Sequence, residues 1–434
     1  MNAIKSISFL WIGTISGAGF VFIAQVIFAR ALTPFDYGIL ASSLVAVTML
    51  GAIASFGIGP FWLKIFGEKG WSGKEWLKSS LRIVVISCLT ACGLLFTYSS
   101  IDRSGNGFSL IWWLTPMIGM FAVVDLVSAR LQLEERYVTL TLWLMLPQAG
   151  RLIVALMAMF SGGALYIVGG GFLGVAITIM AIGAPLIAGM FKANFNLVGH
   201  NKEIQIGLPS PRVRDVFAGA WPFAIAGIFY LIYFQSDILL LKWMRGPEIA
   251  GLYNVAYATM AAVYMLPGVV YQKYLLHKQH RWAEHDRQQF LAVFRFGCGV
   301  MLTTGLIVMV VVLMLAPWAV PLLFGKVYSE AGRIVLVLAV CVPLRFLATS
   351  VGGTLVTQDH MRHKVCYMGV AAAVNILLNI ILIPLFSYYG AAAATVASET
   401  VILCAYLLAV KKRVFGNEAW RGWTLRYRKI GNDG

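Results

Sequence analysis

FGCGVMLTTGLIVMVVVLML, residues Phe296–Leu315, runs without a single charged side chain. At a helical rise of about 1.5 Å per residue, such a run crosses the roughly 30 Å hydrocarbon layer of a bilayer. It forms most of an apolar stretch at about 290–315, and eleven similar stretches accompany it. They lie at about 7–29, 37–62, 81–100, 109–130, 138–160 and 164–191, then 214–241, 248–275, 333–357, 364–386 and 389–410. The 434 residues are 60% hydrophobic and only 12% charged. A soluble core could not bury that much apolar surface, whereas lipid can. A membrane β-barrel would alternate polar and apolar residues over segments of about 10 residues, a pattern these continuous runs lack. The expected fold class is therefore an all-α polytopic membrane protein of about 12 spans.

Basic residues set the orientation, because Lys and Arg in short loops stay cytoplasmic. With twelve spans, four segments fall on one side: the loop with Lys64, Lys69, Lys74 and Lys78, that with Lys202, Arg212 and Arg214, that with Lys273, Lys278, Arg281 and Arg287, and the tail from Lys411 to Lys429. The opposite side holds Arg30, Arg103, Lys242, Arg245, Lys326 and Arg333. About 25 of 34 basic residues lie on the first side, so both termini are expected in the cytoplasm. The net charge of +16 then points to anionic membrane lipids as partners and not to nucleic acid. The first apolar run is too long for a signal-peptide core and is expected to remain as a span.

Enzyme signatures are weak. Gly67-Glu68-Lys69-Gly70-Trp71-Ser72-Gly73-Lys74-Glu75 has the wrong glycine spacing for a nucleotide loop, and Glu75 stands where a magnesium-binding hydroxyl is needed. His200, His277, His280, His285, His360 and His363 sit in loops or at span ends without zinc-ligand spacing, so no metal is expected. The six cysteines, Cys88, Cys92, Cys298, Cys341, Cys366 and Cys404, fall inside spans and read as small buried hydrophobes. No long extracytoplasmic loop offers the catalytic groups of a glycan polymerase or ligase.

The chain reads as two halves. Residues 1–192 form a six-helix lobe, 193–213 a polar cytoplasmic linker, 214–410 a second six-helix lobe, and 411–434 a basic-aromatic tail. Thr33-Pro34-Phe35-Asp36-Tyr37-Gly38-Ile39 joins the first two spans, and Gly246-Pro247-Glu248-Ile249-Ala250-Gly251-Leu252 joins the seventh and eighth. Proline favours a helix start and glycine permits close backbone approach. Their recurrence at equivalent places indicates a duplicated unit, and an even number of helices relates the copies by an axis along the membrane normal.

Ionisable residues at membrane depth are functional candidates because each needs a partner or a wet cavity. Arg151 is mid-span with no acid at its depth in the same half, which favours anion binding; Asp125 lies nearer the cytoplasmic end of its span. Arg345 and Glu399 share the second half, where pairing competes with a functional role. Arg295 is close enough to a helix end to snorkel. Asp237 lies one turn inside the outer end of the seventh span, with Tyr233 and Tyr230 below it. Arg30 ends the first span, and an Arg30–Asp237 contact would make an outward gate if both side chains stretch. Tyr253, Tyr257, Tyr264 and Tyr271 form one stripe, within about 40° on the helical wheel. Tyr257 and Tyr264 are too deep for interfacial anchors and suit either a sugar ring or helix packing. Beyond the last span, Trp420, Trp423, Tyr427 and Ile430 share a face amid Arg421, Arg426, Arg428 and Lys429, as in a helix lying on the cytoplasmic leaflet.

Three segments carry a family resemblance. They are Ala29-Arg30-Ala31-Leu32-Thr33-Pro34-Phe35-Asp36-Tyr37-Gly38; Asp237 to Leu241 followed by Gly251-Leu252-Tyr253; and Asn375-Ile376-Leu377-Leu378-Asn379-Ile380-Ile381-Leu382-Ile383-Pro384 leading to Tyr389-Gly390-Ala391-Ala392-Ala393-Ala394-Thr395. The chain resembles the polysaccharide and O-antigen repeat-unit flippase branch of the multidrug/oligosaccharidyl-lipid/polysaccharide (MOP) exporter superfamily. The resemblance implies two six-helix lobes in a V, as in its multidrug (MATE) members, working by alternating access. It implies transport of undecaprenyl-pyrophosphate-linked oligosaccharides from the cytoplasmic to the periplasmic leaflet of the bacterial inner membrane, for surface polysaccharides such as lipopolysaccharide O-antigen. Other glycan-assembly membrane proteins would be partners. No bound cofactor is expected, and a proton gradient, a sodium gradient or the membrane potential would drive the cycle. Arg151 and Arg345 suit a pyrophosphate; Tyr230, Tyr233, Tyr257 and Tyr264 suit the sugars; Arg30, Asp237 and Glu399 suit gating or coupling. A cation-coupled multidrug antiporter is the alternative, and it calls for a mid-membrane carboxylate in the first half, which only Asp125 approaches.

Overall fold

The computed structural model describes residues 3–101, 105–192, 194–198, 211–274, 287–355, 361–420, 422–423 and 425, and no strand occurs among them. The helices are α1 (Ala3–Ala31), α2 (Pro34–Ser55), α3 (Ile58–Lys69), α4 (Leu77–Ile101), α5 (Gly105–Leu114), α6 (Pro116–Leu133), α7 (Tyr137–Phe160) and α8 (Leu165–Phe191). They continue with α9 (Val213–Arg245), α10 (Pro247–Tyr274), α11 (Arg287–Phe324), α12 (Ser329–Leu338), α13 (Cys341–Thr354) and α14 (Met361–Val410). The all-helical, multi-pass expectation holds. By length and apolarity, eight helical runs among the described residues can cross a membrane, or nine if the pair bent by 49° around residue 339 is one span. Two of those runs, Pro34–Ser100 and Val365–Trp420, are 67 and 56 residues long, far beyond the roughly 20 that one crossing needs.

The breaks inside long runs have local causes. Phe56 and Gly57 both adopt left-handed backbone, with φ of 47° and 63°, and so end α2 and restart the chain as α3. Ser387, at φ 53° and ψ −132°, divides α14 into an arm before it and an arm after it. Arg245 donates to the carbonyls of Ile383 and Pro384, just where the first arm runs out of intrahelical partners. A Cβ on Gly390 would lie 2.2 Å from the Leu382 carbonyl oxygen, so only glycine lets the second arm turn this close to the first.

The duplicated loop motif starts a helix both times. Thr33 Oγ1 accepts the Asp36 amide at 3.1 Å while donating to the Asp36 carboxylate at 2.7 Å, and Pro34 opens α2. Gly246, at φ 97°, precedes Pro247 at the start of α10.

The chain divides into two compact units, Met1–Ile232 and Tyr233–Gly434, and the division falls inside α9. In the first unit α1 lies along α7, where a Cβ on Gly13 would overlap the Thr141 side chain. Helices α2, α6 and α8 pack at its centre around Phe28, Ile39, Ile118 and Val168, all fully buried. The expected linker, 193–213, falls largely outside the described residues, although Ser79 Oγ holds the Pro211 carbonyl at 2.7 Å. In the second unit α11 packs on α12 and α13, and α13 packs on α14. After Val410 the chain makes a single wide turn, and Phe415 buries its ring against Phe290 and Phe294 at 4.9 and 5.0 Å between centroids. Arg295 reaches the Glu418 carbonyl at 3.2 Å, and Trp423 Nε1 donates to the Ala419 carbonyl at 3.0 Å. The tail therefore begins packed on α11 as short turns. Tyr427, Ile430 and the basic residues among them lie outside the described residues.

Candidate functional site

In the second unit, α9, α10, α13 and the second arm of α14 bring their polar residues to one cleft. Tyr233, Phe234 and Asp237 come from α9; Tyr253, Tyr257 and Tyr264 from α10; Arg345 from α13; Thr395 and Glu399 from α14. The periodicity explains the gathering: Phe234 and Asp237 are three residues apart and Thr395 and Glu399 four, so each pair shares a helical face. The space left is about 20 Å³, room for one water and far too small for a sugar.

Two polar networks share the cleft. Around Asp237, which is 3% exposed, Tyr253 donates at 2.9 Å, Thr395 at 2.6 Å and Asn379 Nδ2 at 2.7 Å. Asn379 also donates to Asn375 Oδ1 at 3.0 Å, which accepts from Ser236 at 3.1 Å. One turn along α14, Glu399 accepts Arg345 Nη1 at 2.7 Å. The Arg345 guanidinium stacks over the Phe234 ring at 3.7 Å and lies 4.6 Å from the Tyr264 centroid. Tyr233, buried beside Glu399, makes no well-formed hydrogen bond among the described residues.

The first unit holds a different arrangement. Arg151, partly buried midway along α7, makes no hydrogen bond or ion pair with any described residue, and its Nε is wholly buried. The Tyr37 phenol, which donates to Gln25 Oε1 at 2.9 Å, is within electrostatic reach. Asp125 accepts the Gly59 amide at 3.0 Å, and a Cβ on Gly59 would lie 2.6 Å from its carboxylate. Its role is thus to cap the first turn of α3 after the Phe56–Gly57 break. Nearer the helix end, Arg130 is clamped by Glu134 at 2.8 Å and by the carbonyls of Leu186 and Asn194.

Of the sequence-derived candidates, Tyr233, Tyr257, Tyr264, Asp237, Arg345 and Glu399 meet in one cleft. Tyr230 does not line it and is 49% exposed. Arg30 is exposed at the end of α1 in the first unit, and the Tyr271 side chain lies outside the described residues. Sequence reasoning overlooked Phe234, Asn375, Asn379 and Thr395 as site residues. Two asparagines four apart in an otherwise apolar helix were the available signal, since such residues seek partners in lipid.

The sequence matches the family described as polysaccharide biosynthesis protein over residues 3–272. The chain belongs to that family. No curated protein sequence matches it. Among solved structures it is similar to the lipid II flippase MurJ in an inward closed conformation, with a TM-score of 0.67 and 14% identity over 93% of this chain and 87% of that one. It is also similar to an inward-facing multidrug resistance MATE family transporter of the MOP superfamily, with a TM-score of 0.62 and 13% identity over 92% and 94% of the two chains. A MOP superfamily transporter from Pyrococcus furiosus matches with a TM-score of 0.61 and 14% identity over 94% and 95%. These likenesses establish a MATE- and MurJ-like fold. This family member is a multi-pass membrane protein whose structural neighbours are transporters and flippases.

Proposed function

We propose that this protein is a flippase that moves undecaprenyl-pyrophosphate-linked oligosaccharide repeat units from the cytoplasmic to the periplasmic leaflet of a bacterial inner membrane by alternating access. The observation that carries the reading is Arg151: a mid-helix guanidinium, in a polysaccharide biosynthesis family member with a transporter fold, that no described residue neutralises. Such a charge is costly in lipid unless something anionic visits it. A guanidinium presents its donors in a fork matched to phosphate oxygens. Tyr257 and Tyr264 would present aromatic faces and hydroxyl tips to sugar rings once alternating access opens the cleft they line. Both termini are cytoplasmic in this reading, and the basic loops and tail face anionic lipid.

The antiporter alternative is disfavoured by Asp125, whose carboxylate is occupied in capping α3. Asp237 is the better coupling residue. Its carboxylate is held by three neutral donors and, among the described residues, by no cation, so a proton or a sodium ion could supply the missing charge. Reconstituted protein with a labelled lipid-linked oligosaccharide, under imposed proton, sodium or voltage gradients, tests the function and its drive together. Arg151→Ala is expected to slow translocation roughly 10- to 100-fold while inserting and accumulating normally. Unchanged surface glycan in that variant rules out the anion role.

A further inference from the structure

The Arg345–Glu399 pair deepens the flippase reading and rests on it for the nature of the anion. We infer that Glu399 is an internal counter-anion at Arg345, which a phosphoryl oxyanion of the cargo displaces, and that Glu399 takes up one proton from solvent as it is released. Three observations carry this.

The first is orientation. Stacking on Phe234 and proximity to Tyr264 fix the plane of the guanidinium, so its donors stay aimed at the Glu399 position whoever occupies it. The second is space. The free volume beside the pair is only about 20 Å³, and Glu399 already occupies Arg345 Nη1, so an incoming oxyanion competes with the carboxylate for that donor. The Tyr233 hydroxyl lines the same cleft without a well-formed hydrogen bond and is a second donor for the incoming oxygens. The third is the neighbourhood of Glu399, whose side chain is 3% exposed. The groups facing it are Tyr233 of α9, Tyr264 of α10, Cys341 and Arg345 of α13, and Tyr406 of α14. Arg345 is the one cation among these described groups, so a released carboxylate has no other described cation beside it, and an uncompensated buried charge is costly enough to take up a proton. The proton balances the exchange: one carboxylate charge leaves the guanidinium, one oxyanion charge replaces it, and Arg345 remains protonated throughout. Ser387 separates the arm of α14 that bears Glu399 from the arm before it.

The test is calorimetric titration of inorganic pyrophosphate into the purified full-length protein, in two buffers of different ionisation enthalpy, which counts protons taken up per ion bound. Wild type should take up about one proton more than Glu399→Gln, and Glu399→Gln should bind about tenfold tighter because the competing charge-assisted hydrogen bond is weakened. Equal proton counts and equal affinities overturn the inference. Should Glu399→Gln fail to fold, infrared difference spectra of wild type must show a protonated carboxyl band on adding pyrophosphate, and its absence is equally decisive. The flippase reading fails separately. Wild type that shows the proton-linked exchange but moves no lipid-linked oligosaccharide loses the function and keeps the exchange. If translocation is intact and indifferent to Glu399→Gln, the exchange is lost and the function stands.

Discussion

The two units each hold a part-buried arginine within a helix, and they treat it in opposite ways. Arg345 is held on three sides, by Glu399 and by the rings of Phe234 and Tyr264, whereas Arg151 has no hydrogen bond or ion pair to any described residue. Depth in the membrane therefore does not by itself assign a role to a charge. Breaking the pair at Arg345 would leave a charge without its partner, whereas Arg151 is where the proposed function puts the anion of the cargo.

The sharpest way to break this contrast is to remove one member of the pair. Glu399→Ala should destabilise the protein by about 3–5 kcal/mol, because it strands a buried guanidinium. Arg345→Met combined with Glu399→Leu should recover most of that loss in thermal unfolding, without recovering transport. If the single change is as stable as wild type, Arg345 is as unencumbered as Arg151 and the contrast disappears. Arg151→Ala, in comparison, should leave the melting temperature unchanged while lowering the initial flipping rate roughly 10- to 100-fold, the equivalent of one charged hydrogen bond. Gly390→Ala, acting on the joint that carries Glu399, should cost about 1–3 kcal/mol by overpacking against Leu382, and parallel losses of stability and transport would tie the pair to its hinge. The smallest effect is expected from Tyr257→Ala with Tyr264→Ala, a several-fold slower initial rate, about 1 kcal/mol, read with the same labelled oligosaccharide. Unchanged rates would return both rings to packing.

Much of this was legible in the sequence for physical reasons. Lipid makes charges rare, so the few that remain have few partners, and Arg345 with Glu399 could be matched across 54 residues. Uninterrupted apolar runs identified the all-helical, multi-pass class, and the Pro–acid–Gly motif marked where α2 and α10 begin. Other features left weaker traces. The break at Phe56–Gly57 sits within one apolar run, so nothing polar announced that α3 would need a cap or that Asp125 would provide it. The partners of Asp237 come from α10 and α14, and spacing along one helix gives its face but not its register against another. Tyr230 and Tyr233 differ by 60° around α9, which is enough to leave one half exposed and bury the other.

The narrow cleft of the second unit has a further consequence. Its Arg345–Glu399 pair is internally neutral, and the free space beside it is only about 20 Å³. A membrane that stores energy as voltage penalises any carrier that leaks ions between turnovers. For the proposed flippase, a small cleft around a neutral pair would await cargo without giving ions a charged, wet site of their own.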